Sequence, residues 1–261
     1  MDISNSWTIT RKDFSVYRKK KSVMAMLVVL PLAIGIGLPV LMLVLITRKF
    51  ADYTTLSGVA LLKEAATAQA LLEAFSFFIV IIGSLMPIWL SSYAIVGEKV
   101  EKTLEPLLAT PATDGELLLG KILAAYIPSI IAVFGSVLVF VVLTDTVLPS
   151  ALFPQPFLPN PAMWTMIGTV IPVVPLLNIE ACIIISSRVS DVRAAYQYAA
   201  ITVVPYLLIY IVTEISSLTG VYVFTVQDLL IISGCTLLAI LALATLVRRL
   251  FGREAILTRW K

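Results

Sequence analysis

The chain has 261 residues, of which 59% are hydrophobic and only 13% charged, and its mean hydropathy is +1.00. A soluble domain of that composition would expose far too much apolar surface, so the lipid bilayer is its natural solvent. A formal net charge of +3 is too small to point to nucleic acid, and the absence of histidine from the sequence excludes His-based catalysis and His metal sites.

The chain opens on a polar, basic arm, residues 1–21, in which WTITRKDFSVYRKKK sets Trp7, Phe14 and Tyr17 among cations. The apolar run that follows is too long for a signal-peptide core, so no cleavable signal is expected. Thr10, Phe14 and Tyr17 share a helical face, which predicts an amphipathic helix lying among lipid headgroups. The plainer alternative is a solvated basic tail that only sets orientation.

A membrane span needs about 20 mostly apolar residues. Six stretches qualify, at about 23–46, 74–96, 117–143, 162–186, 194–212 and 229–247. Six spans put both termini on one side. With the N-terminus inside, sixteen of the nineteen Lys and Arg residues fall inside, and only Arg48, Lys49 and Lys63 fall outside. The positive-inside rule therefore predicts cytoplasmic termini.

Between the first two spans, LLKEAATAQALLEAF has the spacing of a short helix leading into the second span. Five prolines at 149, 154, 156, 159 and 161 forbid regular structure before the fourth span. Segment 213–228 is short and leaves room for a partial re-entrant turn. Prolines also punctuate five of the six spans, at Pro31, Pro39, Pro87, Pro128, Pro172, Pro175 and Pro205. Each frees backbone carbonyls that neighbours or a water-lined cavity must satisfy. Such kinks suit a moving conduit and also occur in static bundles. Cys182 and Cys235 sit in apolar runs and read as small buried hydrophobes rather than a disulfide or metal pair.

No phosphate-binding G-x-x-x-x-G-K-[ST] and no dinucleotide fingerprint occurs, and Gly120-Lys121 is a bare GK. A nucleotide, if one is used, binds another chain. Catalytic pairs within the spans are also lacking. The acidic residues Glu73, Asp145, Glu214 and Asp228 sit at span ends, and the exception is Glu180, close to Asn178. An ionisable group at membrane depth marks a functional site by default. Its structural alternative is a partner for Arg188 or Arg193 reaching up from the inner end.

The one long charged stretch is EKVEKTLEPLLATPATDGELLLGK, residues 98–121. The second span ends near Gly97. Thr103 is placed to cap a short helix over 104–109, with Glu105 against its N-terminal dipole and Pro106 in its first turn. Thr110-Pro111 stops it. Thr113-Asp114-Gly115-Glu116 then makes a T-x-x-E capping box that opens the third span. A leucine-bearing helix at the inner face either lies flat on headgroups or fits a groove on a soluble partner, with apolar knobs inside a charged rim.

GEKVEKTLEPLLATPATDGELLLGKILA, residues 97–124, resembles the cytoplasmic loop of ABC-2 type transporter permeases, with its GEKE…GTLE-x-LL-x-TP pattern followed by E-(L/I)-LLGK. SSRVSDVRAAYQ at 186–197 is similar to the family's connection between the fourth and fifth spans, and LFGREAILTRWK to its basic ending. Lys102-Thr103 departs from the pattern, which often has glycine before the threonine. The resemblance covers essentially the whole chain.

The resemblance implies an all-α integral membrane protein of ABC-2, type V exporter-like fold. It would be one transmembrane domain over 1–261, with six transmembrane helices, both termini cytoplasmic, an N-terminal interfacial amphipathic helix over 1–21 and a coupling-helix loop over 98–116. It implies a multi-pass permease of the cell membrane that exports a substrate. It binds no cofactor of its own, because ATP and Mg belong to a partner ABC ATPase subunit. Its other partners are a second permease, identical or a paralogue, and membrane lipid, with no nucleic acid. The ATPase-coupling set is Glu101, Leu104, Glu105, Leu107 and Leu108, together with Glu98, which would steady the loop through lysines of the arm. Candidate translocation-path residues are Phe75, Phe78, Trp89, Tyr93, Asn178, Glu180 and Tyr206. The competing class is an ATP-independent channel or secondary carrier using Glu180. It predicts repeated halves and several midplane ionisable groups, and the sequence has neither.

Overall fold

The computed structural model describes residues 3–19, 85–92, 96–98, 100–103, 110–147, 161–189, 191–218 and 225–250, with scattered positions between 21 and 44 and at 77, 79 and 83. All elements among these residues are helical: α1 (Ile3–Lys19), α2 (Asp114–Val147), α3 (Pro161–Arg188), α4 (Val192–Ala200), α5 (Val204–Leu218) and α6 (Val226–Leu250). The described positions of the first hydrophobic segment, 21–44, and those of the second from 77 to 100 are helical too. The short helix expected over 104–109, the helix expected before the second span and the proline-rich segment up to residue 160 lie outside the described residues.

Four helical stretches are long and apolar enough to cross a bilayer: Asp114–Thr146, Pro161–Arg188, Arg193–Val212 and Val226–Val247. They begin one to three residues before the starts expected from hydropathy, because capping groups and polar first turns extend a helix beyond its apolar stretch. Thr113 and Glu116 form the reciprocal cap at the head of α2. The Glu116 carboxylate accepts from Thr113 N–H at 3.0 Å, and Thr113 Oγ accepts from Glu116 N–H at 3.4 Å. Thr225 and Asp228 repeat the device at the head of α6, with Thr225 N–H donating to the carboxylate at 2.9 Å.

Pro172 bends α3. Its ring and missing N–H are incompatible with an ordinary bond to the carbonyl four residues back. The turn before it, Met166–Val170, widens into a π turn closed by Ile171 N–H on the Met166 carbonyl. Tyr126 of α2 donates to the Pro172 carbonyl at 3.0 Å and ties the two helices beside this proline.

Two apolar clusters hold the bundle. The larger gathers Phe77, Ile88, Val133, Phe140, Val170, Val174, Cys182, Tyr206 and Leu229. The smaller lies at the arm end and joins Ile9 and Tyr17 of α1 to Leu90, Leu117, Leu118, Ala124, Ile179 and Ile183. Cys182 is buried in the first, 2.8 Å from Ser92 Oγ. Cys235 differs from expectation and is exposed, because its stretch of α6 turns an apolar face outward with Leu237, Leu238 and Leu241. Outward apolar faces of this kind are solvated by lipid.

Candidate functional site

The arm is a helix, but its buried face is not the expected one. Ser6, Ile9, Thr10, Asp13 and Tyr17 turn inward against α2, whereas Phe14 is 43% and Trp7 56% exposed. Thr10 and Tyr17 thus point into the protein and Phe14 out of it. The inward face is mostly polar because it is matched by polar and charged groups rather than by lipid.

Glycine makes the approach possible. A Cβ on Gly120 would fall 2.8 Å from Cβ of Ile9 and 2.9 Å from the Ser6 carbonyl, so any larger residue would push α1 away. Hydrogen bonds then fix the register. Thr10 donates to the Gly120 carbonyl at 3.0 Å, Asn5 to Glu116 at 3.3 Å, and Tyr17 to the Leu90 carbonyl at 3.2 Å.

At the centre of this contact sits a cluster of four ionised side chains. Lys121, on the second turn of α2, is 1% exposed. Its ammonium donates to one Glu98 carboxylate oxygen at 2.7 Å and lies 3.6 Å from Asp13. Lys12 donates to the other Glu98 oxygen at 2.6 Å and lies 3.4 Å from Asp13. Two ammonium groups therefore face two carboxylates, and the cluster is neutral as a whole. Glu98 is the hub, with both oxygens held short, while Asp13 is a second, looser acceptor.

The surroundings hold Lys12 protonated and Tyr17 neutral. Burial works to lower the Lys12 pKa, but hydrogen bonding and charge from Glu98, with Asp13 behind, outweigh it and leave it above the ordinary lysine value. Burial, reinforced by the negative charge of Asp13 and Glu98, pushes the Tyr17 hydroxyl well above its usual range, so it stays a neutral donor.

The second hydrophobic segment ends beside this cluster. Thr103 N–H reaches back to the Glu98 carbonyl at 3.0 Å, and Glu101 N–H to that of Gly97 at 2.9 Å. Lys102 is left-handed between them, with φ 55°. This is the six-to-one closure that usually ends on glycine. The turn therefore forms with lysine where the resemblance anticipated glycine. Val100, at 63%, and Glu101 are exposed beyond it.

Of the residues singled out from sequence, Glu98 is buried in the ion cluster and held by Lys12 of the arm, and by Lys121, which sequence reading left unpaired. Leu104, Glu105, Leu107 and Leu108 lie outside the described residues, as do Phe75, Phe78 and Tyr93. Asn178 is fully buried and accepts from Thr202 at 2.6 Å, and Tyr206 is 3.2 Å from Thr236 Oγ. Trp89 packs against the larger apolar cluster that holds Tyr206, and Glu180 is buried on α3. Asp13 is the sole acid between Arg11 and Lys21 in a basic arm, and Lys121 is the one basic residue of α2. Both are signals of a specific partner.

None of the curated proteins matches the chain. The family profile described as "ABC-2 family transporter protein" matches residues 7–217, from the arm to the end of α5. That match covers well over half of a chain with several apolar, membrane-capable helices, and this multi-pass membrane protein belongs to the ABC-2 family of transporters.

Proposed function

We propose that the chain is the permease subunit of an ABC exporter, powered by ATP and its magnesium on a separate ATPase chain, and that the ion cluster is the joint through which the ATPase moves the spans. The observation that carries this reading is the position of the cluster. Glu98 and Lys121 stand at the two roots of the charged loop, and α1 is bound to both. Motion of the loop is thereby delivered to α1, to the second hydrophobic segment and to α2 together.

In this reading six spans place both termini in the cytoplasm, and α1 lies along the inner membrane interface with Ile3, Trp7 and Phe14 outward. The exposed Val100 and Glu101, with Leu104, Glu105, Leu107 and Leu108, meet the ATPase, while Glu98 is buried and acts as a positioning residue. A second permease chain completes the path. A partner shifts an equilibrium only if it binds two states differently. The cluster supplies two such states. When the loop moves, the Lys121 ammonium passes from Glu98 to Asp13, 3.6 Å away, and stays paired in both positions.

The test is purification of the tagged chain from its native membrane, followed by mass spectrometry and coupled ATPase and transport assays. A co-purifying P-loop ATPase that is lost with Leu107→Asp is expected. With Asp13→Asn the complex should survive while ATP turnover separates from transport. Recovery of an intact chain without any ATPase would overturn the reading in favour of a stand-alone carrier built around Glu180.

A further inference from the structure

An apolar groove of about 450 Å³ runs between the first hydrophobic segment and α2, with Phe14 of α1 at one end. Its walls are carried by Leu27, Pro31, Ile131, Gly135 and Leu138, and Ser136 is its one polar lining residue. The volume falls in the range of small-molecule sites. Along α2 the lining extends from Pro128 to Val139, which at 1.5 Å per residue is about 16 Å. That is the depth of one leaflet of a hydrocarbon core about 30 Å thick. Near the deep end the two helices touch, since a Cβ on Gly35 would fall 2.8 Å from the Ser136 carbonyl.

The α1 face that carries Phe14 has a different chemistry. Arg11 and Arg18 are exposed and lie three residues before and four after Phe14, so all three share one face of α1. Ile3 and Trp7 continue that face as exposed apolar side chains, as expected at a membrane–water boundary. A slot one leaflet deep and apolar within, reached by Phe14 from a helix face that also carries two exposed guanidinium groups, matches an anionic phospholipid. We infer that this groove is a specific site for such a lipid, with one acyl chain lying against Gly135 and Leu138 and the phosphate held by Arg11 and Arg18. Arginine suits that role through paired donors in a fixed fork. The inference rests on the membrane-spanning character of the chain and is independent of the ATPase.

The test uses the full chain, purified in mild detergent and exchanged into nanodiscs of phosphatidylglycerol, phosphatidylcholine or mixtures of the two. Lipid retained after transfer back to detergent is counted by native mass spectrometry. One retained phosphatidylglycerol per chain is expected. Its preference over phosphatidylcholine should be about 30-fold, or about 2 kcal/mol, for two cations near a headgroup. A Cβ on Gly135 meets nothing within 4 Å, so Gly135→Leu enters the groove without disturbing the fold and should abolish retention. Arg11→Gln with Arg18→Gln should retain a lipid but lose the preference. Equal retention by wild type and Gly135→Leu would reduce the lipid to ordinary annular solvent and overturn the site. Equal retention of the two lipids by the wild type would overturn the role of the arginines.

Discussion

Replacing Lys121 with methionine keeps the length of the side chain and removes its charge. At 2.7 Å from Glu98, the ammonium gains about 6 kcal/mol of attraction at an effective dielectric of about 20. Removing each ion from water costs several kcal/mol, so the intact cluster contributes little net stability. The variant is a different matter. Among the described residues the two carboxylates then face Lys12 alone, and a net negative charge is left where Glu98 and Asp13 are nearly inaccessible to water. Breaking a buried pair in this way costs about 3–5 kcal/mol. Glu98→Gln should cost a similar amount, because it leaves two ammonium groups facing Asp13. The double variant restores neutrality, with Lys12 and Asp13 3.4 Å apart, and loses chiefly hydrogen bonds at about 1 kcal/mol each. Single losses of about 3–5 kcal/mol each, set against about 2 kcal/mol for the double variant, give an expected coupling energy of about 4–8 kcal/mol between the two sites. The measurement is denaturant unfolding in mixed micelles followed by tryptophan fluorescence, with hydrogen exchange across residues 3–19 reporting the arm. Additive losses in the double variant would show that Lys121 and Glu98 do not form one electrostatic unit, and the joint would fail with them.

Other consequences are more local. Gly120→Leu improves the intrinsic helix propensity of α2 but drives a side chain into Ile9 and the Ser6 carbonyl. It should cost about 1–3 kcal/mol and raise hydrogen exchange in α1 while leaving α6 protected, and unchanged arm protection would refute the close-approach argument. Lys102→Gly relieves a left-handed lysine worth about 1–2 kcal/mol at the expense of some unfolded-state entropy. It should raise the melting temperature slightly, whereas Lys102→Val should lower it, and identical melting of the two would show that the turn is not under strain. Lys12 and Tyr17 both have folded pKa values raised above their ordinary 10.5 and 10.0. The stability they contribute is complete below those unfolded values and is lost as pH rises through the higher folded ones. A spin label at the exposed position 8 should therefore stay immobile to about pH 10 and become mobile above it. Release at neutral pH would contradict both assignments.

Hydropathy alone located the four spans now described, because a bilayer imposes length and apolarity on whatever crosses it. The Thr113–Glu116 cap was equally legible, since its partners are three residues apart and need no tertiary context. Register against other helices was not. The arm reads as amphipathic, but hydrophobicity directs Phe14 toward lipid and says nothing of which polar residues meet a buried lysine. That pairing joins residues 12, 13, 98 and 121 across more than a hundred positions. The left-handed turn at Lys102 was obscured by the residue itself. Glycine would have announced it, but here the closure comes from the Thr103 and Glu101 amides rather than from conformational preference.

An ionic cluster at a joint calls for a reason, since well-packed apolar groups in its place would be as stable or more so. Specificity of register supplies one. An apolar face on α1 could slide along α2 by a turn and lose little, because dispersion contacts are non-directional. Four charges in alternating sign cannot, since a slip of one turn would separate Asp13 from Lys121 and Lys12 from Glu98. The same cluster tolerates a small displacement, because Asp13 stands ready to accept what Glu98 releases. In the proposed joint it resists a slip of register and yields to one motion of roughly an ångström, the difference between the two Lys121 contacts. Replacing Lys12, Asp13, Glu98 and Lys121 together by Met, Leu, Met and Met should thus leave thermal stability equal or higher. Paired cysteines at the exposed position 5 and at position 116 should then cross-link less selectively than in the wild-type background, against neighbours one turn away. Unchanged selectivity would mean that Gly120, Thr10 and Tyr17 suffice to set the register, and that the charges serve the motion alone.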